Sequence, residues 1–172
     1  MKYQSIKAVA FDLIGTVFDP ATICIADLVS YARQIEHWRT TRVYYPLSIG
    51  AGFLQAKPFA DASEALNRLS CHAKLVAASN VHGPIVKAML RNGNVQWFSW
   101  VMDYHKIGQL KPSLTCYSQI CRDLLVDPQE VLFVTSNRGV GDDTEPKRIG
   151  MQTRLIDRAA GETLLDLVKE FV

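Results

Sequence analysis

The sequence contains no hydrophobic run long enough to cross a membrane, and its first residues lack the apolar stretch of a signal peptide. It also lacks an excess of either charge: 19 basic and 17 acidic side chains give a formal net charge of +2. Such a balance does not indicate a nucleic-acid-binding protein. We therefore expect neither a membrane nor a nucleic acid among the partners of this chain.

Cysteine is sparse. The four cysteines are Cys24, Cys71, Cys116 and Cys121, and none of them forms a CxxC pair. Their spacing indicates neither a disulfide framework nor a zinc site. Isolated thiols are typical of a reducing compartment, so we expect a cytoplasmic protein.

Apolar residues, in contrast, are plentiful. Of the 172 residues 48% are hydrophobic, which is enough to bury one core, so we expect one domain with a small insert. The mostly apolar run from Lys7 to Phe11 is typical of a buried parallel strand. Asp12 ends this run, and Gly15 with Thr16 turns the backbone away. A charge at the end of a core strand is costly unless it is paired or functional, so Asp12 is a candidate nucleophile.

Beyond residue 58 the pattern alternates between short strands and helices, which predicts a doubly wound parallel α/β sheet. The predicted strands are Lys74–Ala78, Trp100–Met102, Val131–Val134 and Thr153–Ile156. The predicted helices are Ala62–Leu69, Pro84–Leu90, Ser113–Leu125 and Glu162–Phe171.

The stretch 19–57 has a different pattern and is predicted to be a helical insert in a core formed by 1–18 and 58–172. Asp19 and Pro20 are typical of a helix start, and apolar residues at helical spacing predict a helix to about Arg42. The segment Tyr44–Pro58 contains Pro46, Gly50 and Gly52, and we expect it to be irregular.

Polar residues follow three of the predicted strands: Asp12, the pair Ser79-Asn80, and the triplet Thr135-Ser136-Asn137. Because the carboxyl ends of parallel strands share one edge of the sheet, these side chains can converge there. Lys111, followed by Pro112, can supply a cation beside Asp12.

With these motifs in this order, the chain resembles the haloacid dehalogenase (HAD) superfamily. The four motifs of the family are matched by Phe11–Thr16, Ser79-Asn80, Lys111-Pro112 and Thr135–Asp142. The resemblance is closest to the L-2-haloacid dehalogenase branch. Phosphatases of the superfamily have a general acid two residues after the nucleophile, where this chain has Ile14.

The resemblance implies the roles of the site residues. Asp12 would attack C2 of a small 2-haloacid to form an ester, Lys111 would hold it ionised, and Asn137 with Asp142 would orient or activate the hydrolytic water. Trp38-Arg39 resembles the Trp-Arg pair of the branch, whose arginine receives the halide. The remaining substrate-binding residues implied are Thr16, Ser79, Asn80, Tyr117, Thr135 and Ser136. The branch uses no metal.

Departures from the family pattern leave alternatives open. The insert is shorter than the family's cap, and the fourth motif is lengthened, so Asp143 competes with Asp142 as its acid. One alternative is a phosphatase that holds magnesium between Asp12, Asp142 and Asp143. The other is a HAD-fold binding protein without catalytic activity.

The insert helix carries an apolar stripe with few insert residues to cover it. The stripe consists of Ile25, Leu28, Val29, Ala32 and Ile35. Such a face commonly finds a second subunit, and the branch often dimerises, so we expect a homodimer with this helix at or near the interface.

Overall fold

The computed structural model describes residues 3, 5–43, 51–102 and 107–171. Seven strands form two sheets in this part of the chain. They are β1 (Ala8–Phe11), β2 (Phe18–Asp19), β3 (Lys57–Pro58), β4 (Lys74–Ala77), β5 (Phe98–Val101), β6 (Val131–Thr135) and β7 (Gln152–Leu155). Five of them make a parallel sheet in the order β5-β4-β1-β6-β7, and β2 pairs with β3 in an antiparallel ribbon.

The first strand lies at the centre of the main sheet. All four residues of β1 are fully buried, and Ala8 pairs with Lys74 on one side and with Val131 on the other. A strand covered on both faces and both edges is apolar throughout, as its sequence is. The edge strand β5 begins at Phe98, two residues before its predicted start at Trp100. Its residues are only partly buried, so the apolar pattern that marks a strand is weaker there.

Helices cover both faces of the main sheet. They are α1 (Ile25–Thr41), α2 (Ala62–Ser70), α3 (Gly83–Asn92), α4 (Leu114–Leu124) and α5 (Leu164–Phe171). The apolar residues of α2, α3 and α5 form one core with Val9 and Phe11, whereas those of α4 form a second core with Ala8 and Ala10. The predicted doubly wound parallel sheet is therefore confirmed. No helix in the described residues is both long and apolar enough to cross a bilayer.

The insert differs in detail from its prediction. Its helix begins at Ile25 rather than at Pro20, because Asp19 caps a separate 3-10 turn, with its Oδ1 accepting a hydrogen bond from the Ala21 N–H at 2.9 Å. Part of the segment predicted to be irregular is ordered: Ala51–Gln55 is a 3-10 helix, and β3 follows it. Residues 44–50, which belong to the same prediction, lie outside the described residues.

Helix α1 packs close to the carboxyl edge of the five-stranded sheet; this sheet with helices α2 to α5 is called the main domain below. Trp38, only 3% exposed, packs with Ile35 against Leu110, the residue that precedes Lys111. One turn before Ile35, the Tyr31 ring meets the Phe53 ring edge to face, with the ring centroids 5.5 Å apart. These contacts hold the inner side of α1 over the edge where the polar motifs end.

Candidate active site

Asp12 lies directly after the central strand, at the carboxyl edge of the sheet. Its N–H donates to the Val134 carbonyl at 2.9 Å, and the residue is 5% exposed. The turn that follows requires glycine at residue 15, because Gly15 has a φ of +86° and a Cβ there would lie 2.9 Å from the Ser136 Oγ. The sequence between Asp12 and Thr16 thus folds back closely onto the end of β6.

Three side chains donate hydrogen bonds to the Asp12 carboxylate. Lys111 Nζ contacts Oδ1 at 2.7 Å, and Asn137 Nδ2 contacts Oδ2 at 2.7 Å. Thr16 Oγ1 lies at 3.5 Å from the same Oδ2, a weak contact. Both oxygens of the predicted nucleophile are therefore fixed, by Asn137 after the end of β6, by Lys111 of the third motif and, weakly, by Thr16 on its own turn.

Asp142 is the second carboxylate of the site. Lys111 Nζ donates to its Oδ2 at 2.6 Å, and the Tyr117 hydroxyl donates to its Oδ1 at 2.6 Å. The lengthened fourth motif reaches Lys111 through Gly141, whose φ is +94° and whose Cβ, if present, would lie 2.9 Å from Pro112. Of the two acids that the sequence left open, the structure brings Asp142 to Lys111.

The charges of this buried cluster depend on one another. Burial raises the pKa of the Asp12 carboxyl above its usual value, an effect that Lys111 opposes and Asp142 reinforces. Burial also lowers the pKa of the Lys111 ammonium, but the two carboxylates more than offset this, and the pKa lies above its usual value. Burial and the Asp142 charge raise the pKa of Tyr117, so its hydroxyl stays a proton donor. The charged Lys111 is thus the partner that the two carboxylates share, and it opposes the rise in the pKa of Asp12.

The other predicted polar residues support this cluster from the strand ends. The Thr16 hydroxyl accepts from the Ser136 N–H at 2.8 Å and lies 3.2 Å from the Ser136 Oγ, while Thr135 Oγ1 accepts from the Asn137 N–H at 3.0 Å. These bonds tie the first motif to the fourth. They also orient Asn137 toward Asp12.

The second motif holds the third. The Asn80 side chain accepts from the Lys111 N–H at 2.7 Å and donates to the Lys111 carbonyl at 3.0 Å. Ser79 is buried, and its Oγ accepts from the Val81 N–H at 3.1 Å. In this structure Asn80 therefore fixes the backbone of the lysine, a role that the resemblance did not imply.

Arg39 lies apart from the cluster. It is exposed on the last turn of α1, and none of the hydrogen bonds or ion pairs found among the described residues joins it to the site. The reason is helical geometry: successive residues are rotated by about 100°, so that an inward Trp38 turns Arg39 outward.

Two aromatic residues at the site carry no sequence motif. Phe133 on β6 lies beneath the cluster, with the Lys111 Nζ 5.3 Å from its ring centroid and the Tyr117 ring edge-on at 5.1 Å. Tyr31 on α1 packs against Phe53, and burial, followed by the Asp12 charge, raises the pKa of its phenol. Which residues of α1 face inward depends on how the helix is rotated about its axis. The sequence around Tyr31 contains no motif that would indicate this rotation.

The acids of the site do not form a metal cage. The Lys111 ammonium lies between Asp12 and Asp142 and occupies the position between the carboxylates that a cation would take. Nowhere in the described ranges do three or more His, Cys, Asp or Glu side chains group so that they could hold a metal ion. In this arrangement Lys111 is the cation that Asp12 and Asp142 share.

Solved structures of similar fold are numerous. An L-2-haloacid dehalogenase aligns over 96% of this chain and 98% of its own, with a TM-score of 0.84 and 17% identity. The L-2-haloacid dehalogenase from Xanthobacter autotrophicus aligns over 96% of this chain and 86% of its own, with a TM-score of 0.73 and 23% identity, and has also been solved with chloropropionic acid covalently bound. A haloacid dehalogenase-like hydrolase from Streptococcus pneumoniae aligns over 98% of this chain and 99% of its own, with a TM-score of 0.70 and 14% identity.

No protein-family model and no curated protein sequence matches the chain. The structural likeness extends over 96–98% of this chain in the three alignments. The chain therefore has the fold of the haloacid dehalogenase superfamily, as its motifs predicted.

Proposed function

We propose that the chain is a hydrolase of the 2-haloacid dehalogenase type, which displaces halide from a small 2-haloalkanoic acid through an aspartyl ester. The observation that carries the proposal is the Asp12 carboxylate held by Lys111 at 2.7 Å and Asn137 at 2.7 Å, with Ile14 where a phosphatase would have its general acid. A halide leaves without needing a proton, so that this chemistry requires no acid at residue 14.

In the first step, a carboxylate oxygen of Asp12 forms a bond to C2 of the substrate, and the halide departs with the electron pair of the broken carbon–halogen bond. Lys111 keeps the nucleophile ionised and oriented. The fold relative from Xanthobacter autotrophicus, solved with chloropropionic acid covalently bound, supports an intermediate of this kind and a substrate of this size.

In the second step, water attacks the carbonyl carbon of the aspartyl ester. The bond from that carbon to the bridging oxygen, which Asp12 gave to C2 in the first step, then breaks. This oxygen leaves on the 2-hydroxyacid with the proton that Asp142 returns to it, and Asp12 regains its carboxylate with one oxygen from the water as the second water proton passes to solvent. Asp142 takes the proton of the attacking water, and Asn137, 2.7 Å from Asp12 Oδ2, orients the reacting group. The Tyr117 and Lys111 hydrogen bonds hold Asp142 in place for this task.

We also propose that the reaction needs no metal. Magnesium phosphatases of this superfamily remain the competing class, and Ile14, where those phosphatases have their general acid, argues against that class here. We further propose a cytoplasmic enzyme, since all four cysteines are free thiols. Its helix α1 would lie at or near a homodimer interface, because Ile25 and Val29 are 77% and 43% exposed.

The test is a halide-release assay on a panel of 2-haloacids, run beside a phosphatase assay with and without magnesium. We expect halide release that a chelator leaves unchanged. Phosphate release that requires magnesium would favour the phosphatase. No turnover in either assay would favour a binding protein that has kept the fold.

A further inference from the structure

Arg158 lies in the segment that joins β7 to α5, and it contacts the turn 12–16, which carries the predicted nucleophile. Its Nη2 donates a hydrogen bond to the Thr16 carbonyl at 2.7 Å. Thr16 is fully buried, and its hydroxyl accepts from the Ser136 N–H at 2.8 Å and lies 3.5 Å from the Asp12 carboxylate. Arg158 therefore holds the backbone of the residue whose side chain joins the first motif to the fourth.

The Arg158 guanidinium is itself held by an ion pair and by an aromatic ring. Its Nη1 donates to both oxygens of Asp61, at 2.9 and 3.0 Å, and Asp61 also accepts from the Leu164 N–H at 2.6 Å. The guanidinium carbon lies 4.1 Å from the centre of the Phe59 ring, and the Phe59 N–H donates to the Val17 carbonyl at 2.9 Å. A planar cation that is paired and stacked in this way forms a rigid support for the turn.

The orientation of Arg158 is set by these contacts and leaves one of its own donors unpaired. Its Nε–H is buried and has no hydrogen-bond partner among the residues that the structure describes. Burying an unpaired donor is unfavourable, so a side chain that served only to pair with Asp61 could turn this group toward water. The guanidinium instead keeps the orientation in which it reaches Asp61 and Thr16 together.

Arg154, four residues earlier, is an arginine of the same region without a contact to the nucleophile. It donates to Glu162 and to Glu170 at 2.7 Å each, and its side chain is 19% exposed, close to the 15% of Arg158. None of the hydrogen bonds found for Arg154 in the described ranges reaches the turn 12–16. The two arginines are therefore matched in burial and pairing, and they differ in their contact with this turn.

We propose that Arg158 is a positioning residue for the reaction at Asp12. Its hydrogen bonds go to Thr16 and Asp61 rather than to the Asp12 carboxylate, so it acts through Thr16 by fixing the turn 12–16. A misplacement of about 1 Å at a reacting group can cost about 100-fold in rate, so a rigid support for this turn contributes directly to kcat. The inference rests on the proposed function for the reaction that it supports, but the position of the turn can be measured without turnover.

The experiment compares Arg158→Gln with Arg154→Gln, which removes a cation of similar burial away from the turn. Amide hydrogen exchange, followed by NMR, reports whether the Ser136 N–H stays bonded to Thr16. Because Arg158→Gln loses a hydrogen bond from a charged group to the turn, we expect exchange at Ser136 to accelerate at least about tenfold more than in Arg154→Gln. With 2-chloropropionate as substrate, kcat should fall about 10–100-fold in Arg158→Gln alone, at a KM near the wild-type value.

Contrary outcomes overturn the inference. Equal acceleration of exchange at Ser136 in the two variants would reduce Arg158 to a structural ion pair, and so would an equal loss of kcat. A raised KM at constant kcat would make Arg158 a substrate ligand. A shifted pH midpoint of kcat would mean that its charge acts on Asp12, whose pKa responds to Lys111 and Asp142.

Turnover and positioning are tested separately. A wild type that releases no halide contradicts only the proposed reaction, because exchange at Ser136 still decides whether Arg158 holds the turn. If Arg158→Gln does not fold, Arg158→Lys takes its place, with Arg154→Lys as its control. Lysine keeps the charge beside Asp61 but lacks the planar fork that reaches two partners at once, so the same difference in exchange at Ser136 is expected.

Discussion

The main domain and helix α1 meet at the same site by different means. On the main-domain side, every charged group is hydrogen-bonded to another at 2.6–2.7 Å, and the residues that carry them follow strands of the central sheet or pack directly on it. On the α1 side, apolar packing of Trp38 and Tyr31 sets the geometry. Hydrogen bonds between strand ends fix positions tightly, whereas the rotation of a single packed helix decides which residue faces the site. The main domain should therefore determine whether the reaction occurs.

The largest expected effect is that of Asp12→Asn on the main-domain side. The variant loses the nucleophile with almost no change in volume, so we expect turnover to fall by at least about 10⁴-fold while the fold persists. Halide release and circular dichroism measure the two properties. Mass spectrometry must show that the amide has not reverted to aspartate, since only turnover by the intact variant would exclude a covalent mechanism.

Lys111→Met tests whether the stability of the main domain depends on the buried Lys111 ammonium. The change leaves Asp12 and Asp142 buried beside each other without their shared partner, so we expect the free energy of unfolding to fall by about 3–5 kcal/mol. Urea titration measures it, and Lys7→Met is the matched control. Lys7 is exposed in its ion pair with Glu130, and little change is expected there.

The loss in Lys111→Met should depend on pH. Without the lysine, burial and the nearby Asp142 charge raise the pKa of the Asp12 carboxyl in the folded state above its unfolded value with nothing to oppose them. The folded state then binds more protons than the unfolded state, and the variant becomes less stable as the pH rises from about 4. A deficit that is constant across pH would contradict the shared role of Lys111.

Asn80→Ala separates positioning from substrate contact. Because Asn80 holds both backbone groups of Lys111, we expect kcat to fall by about 10–100-fold while KM stays near the wild-type value. Steady-state kinetics give both constants. A raised KM at constant kcat would instead support the substrate-binding role that the family resemblance implies.

The smallest effect on the chemistry should come from the outer face of α1. Ile25→Glu places a charge on a side chain that is 77% exposed. We expect the wild type to be a dimer and the variant to be a monomer that keeps its fold. Leu28 is unsuitable for this test because it packs against the main core. Sedimentation at micromolar concentration decides the question, and a wild-type monomer would exclude the dimer.

The sequence predicts the main-domain side of the site better than the α1 side. Asp12 and Asn137 could be identified because they follow strands whose ends share one edge of the sheet. Lys111 was a candidate cation beside them, and the family resemblance implied Asp142, with Asp143 left open. Even the lengthened fourth motif arrives at Lys111, through Gly141. Such positions depend on topology, which alternating strand and helix patterns indicate reliably.

Residues of the insert could not be placed in this way. The sequence predicts that α1 begins at Pro20, but the helix begins at Ile25, because Asp19 and Pro20 form a 3-10 turn, for which they are equally suited. The inward face depends on how Trp38 packs, and Trp38-Arg39 as a pair does not reveal which of the two faces inward. Tyr31 belongs to no motif, so that only three-dimensional contacts identify it.

The central position of β1 has a consequence for synthesis on the ribosome. Ala8 pairs with Lys74 and Val131. The strand β1 is therefore synthesised before its partner strands, and its second edge is covered only after β6 has been made. At about 5–20 residues per second, roughly 6–25 seconds separate the synthesis of Ala8 from that of Val131. During this time a wholly apolar strand has one or both edges unpaired and is open to association with other nascent chains. The strand with both edges paired in the folded protein thus has its edges exposed to other chains during synthesis.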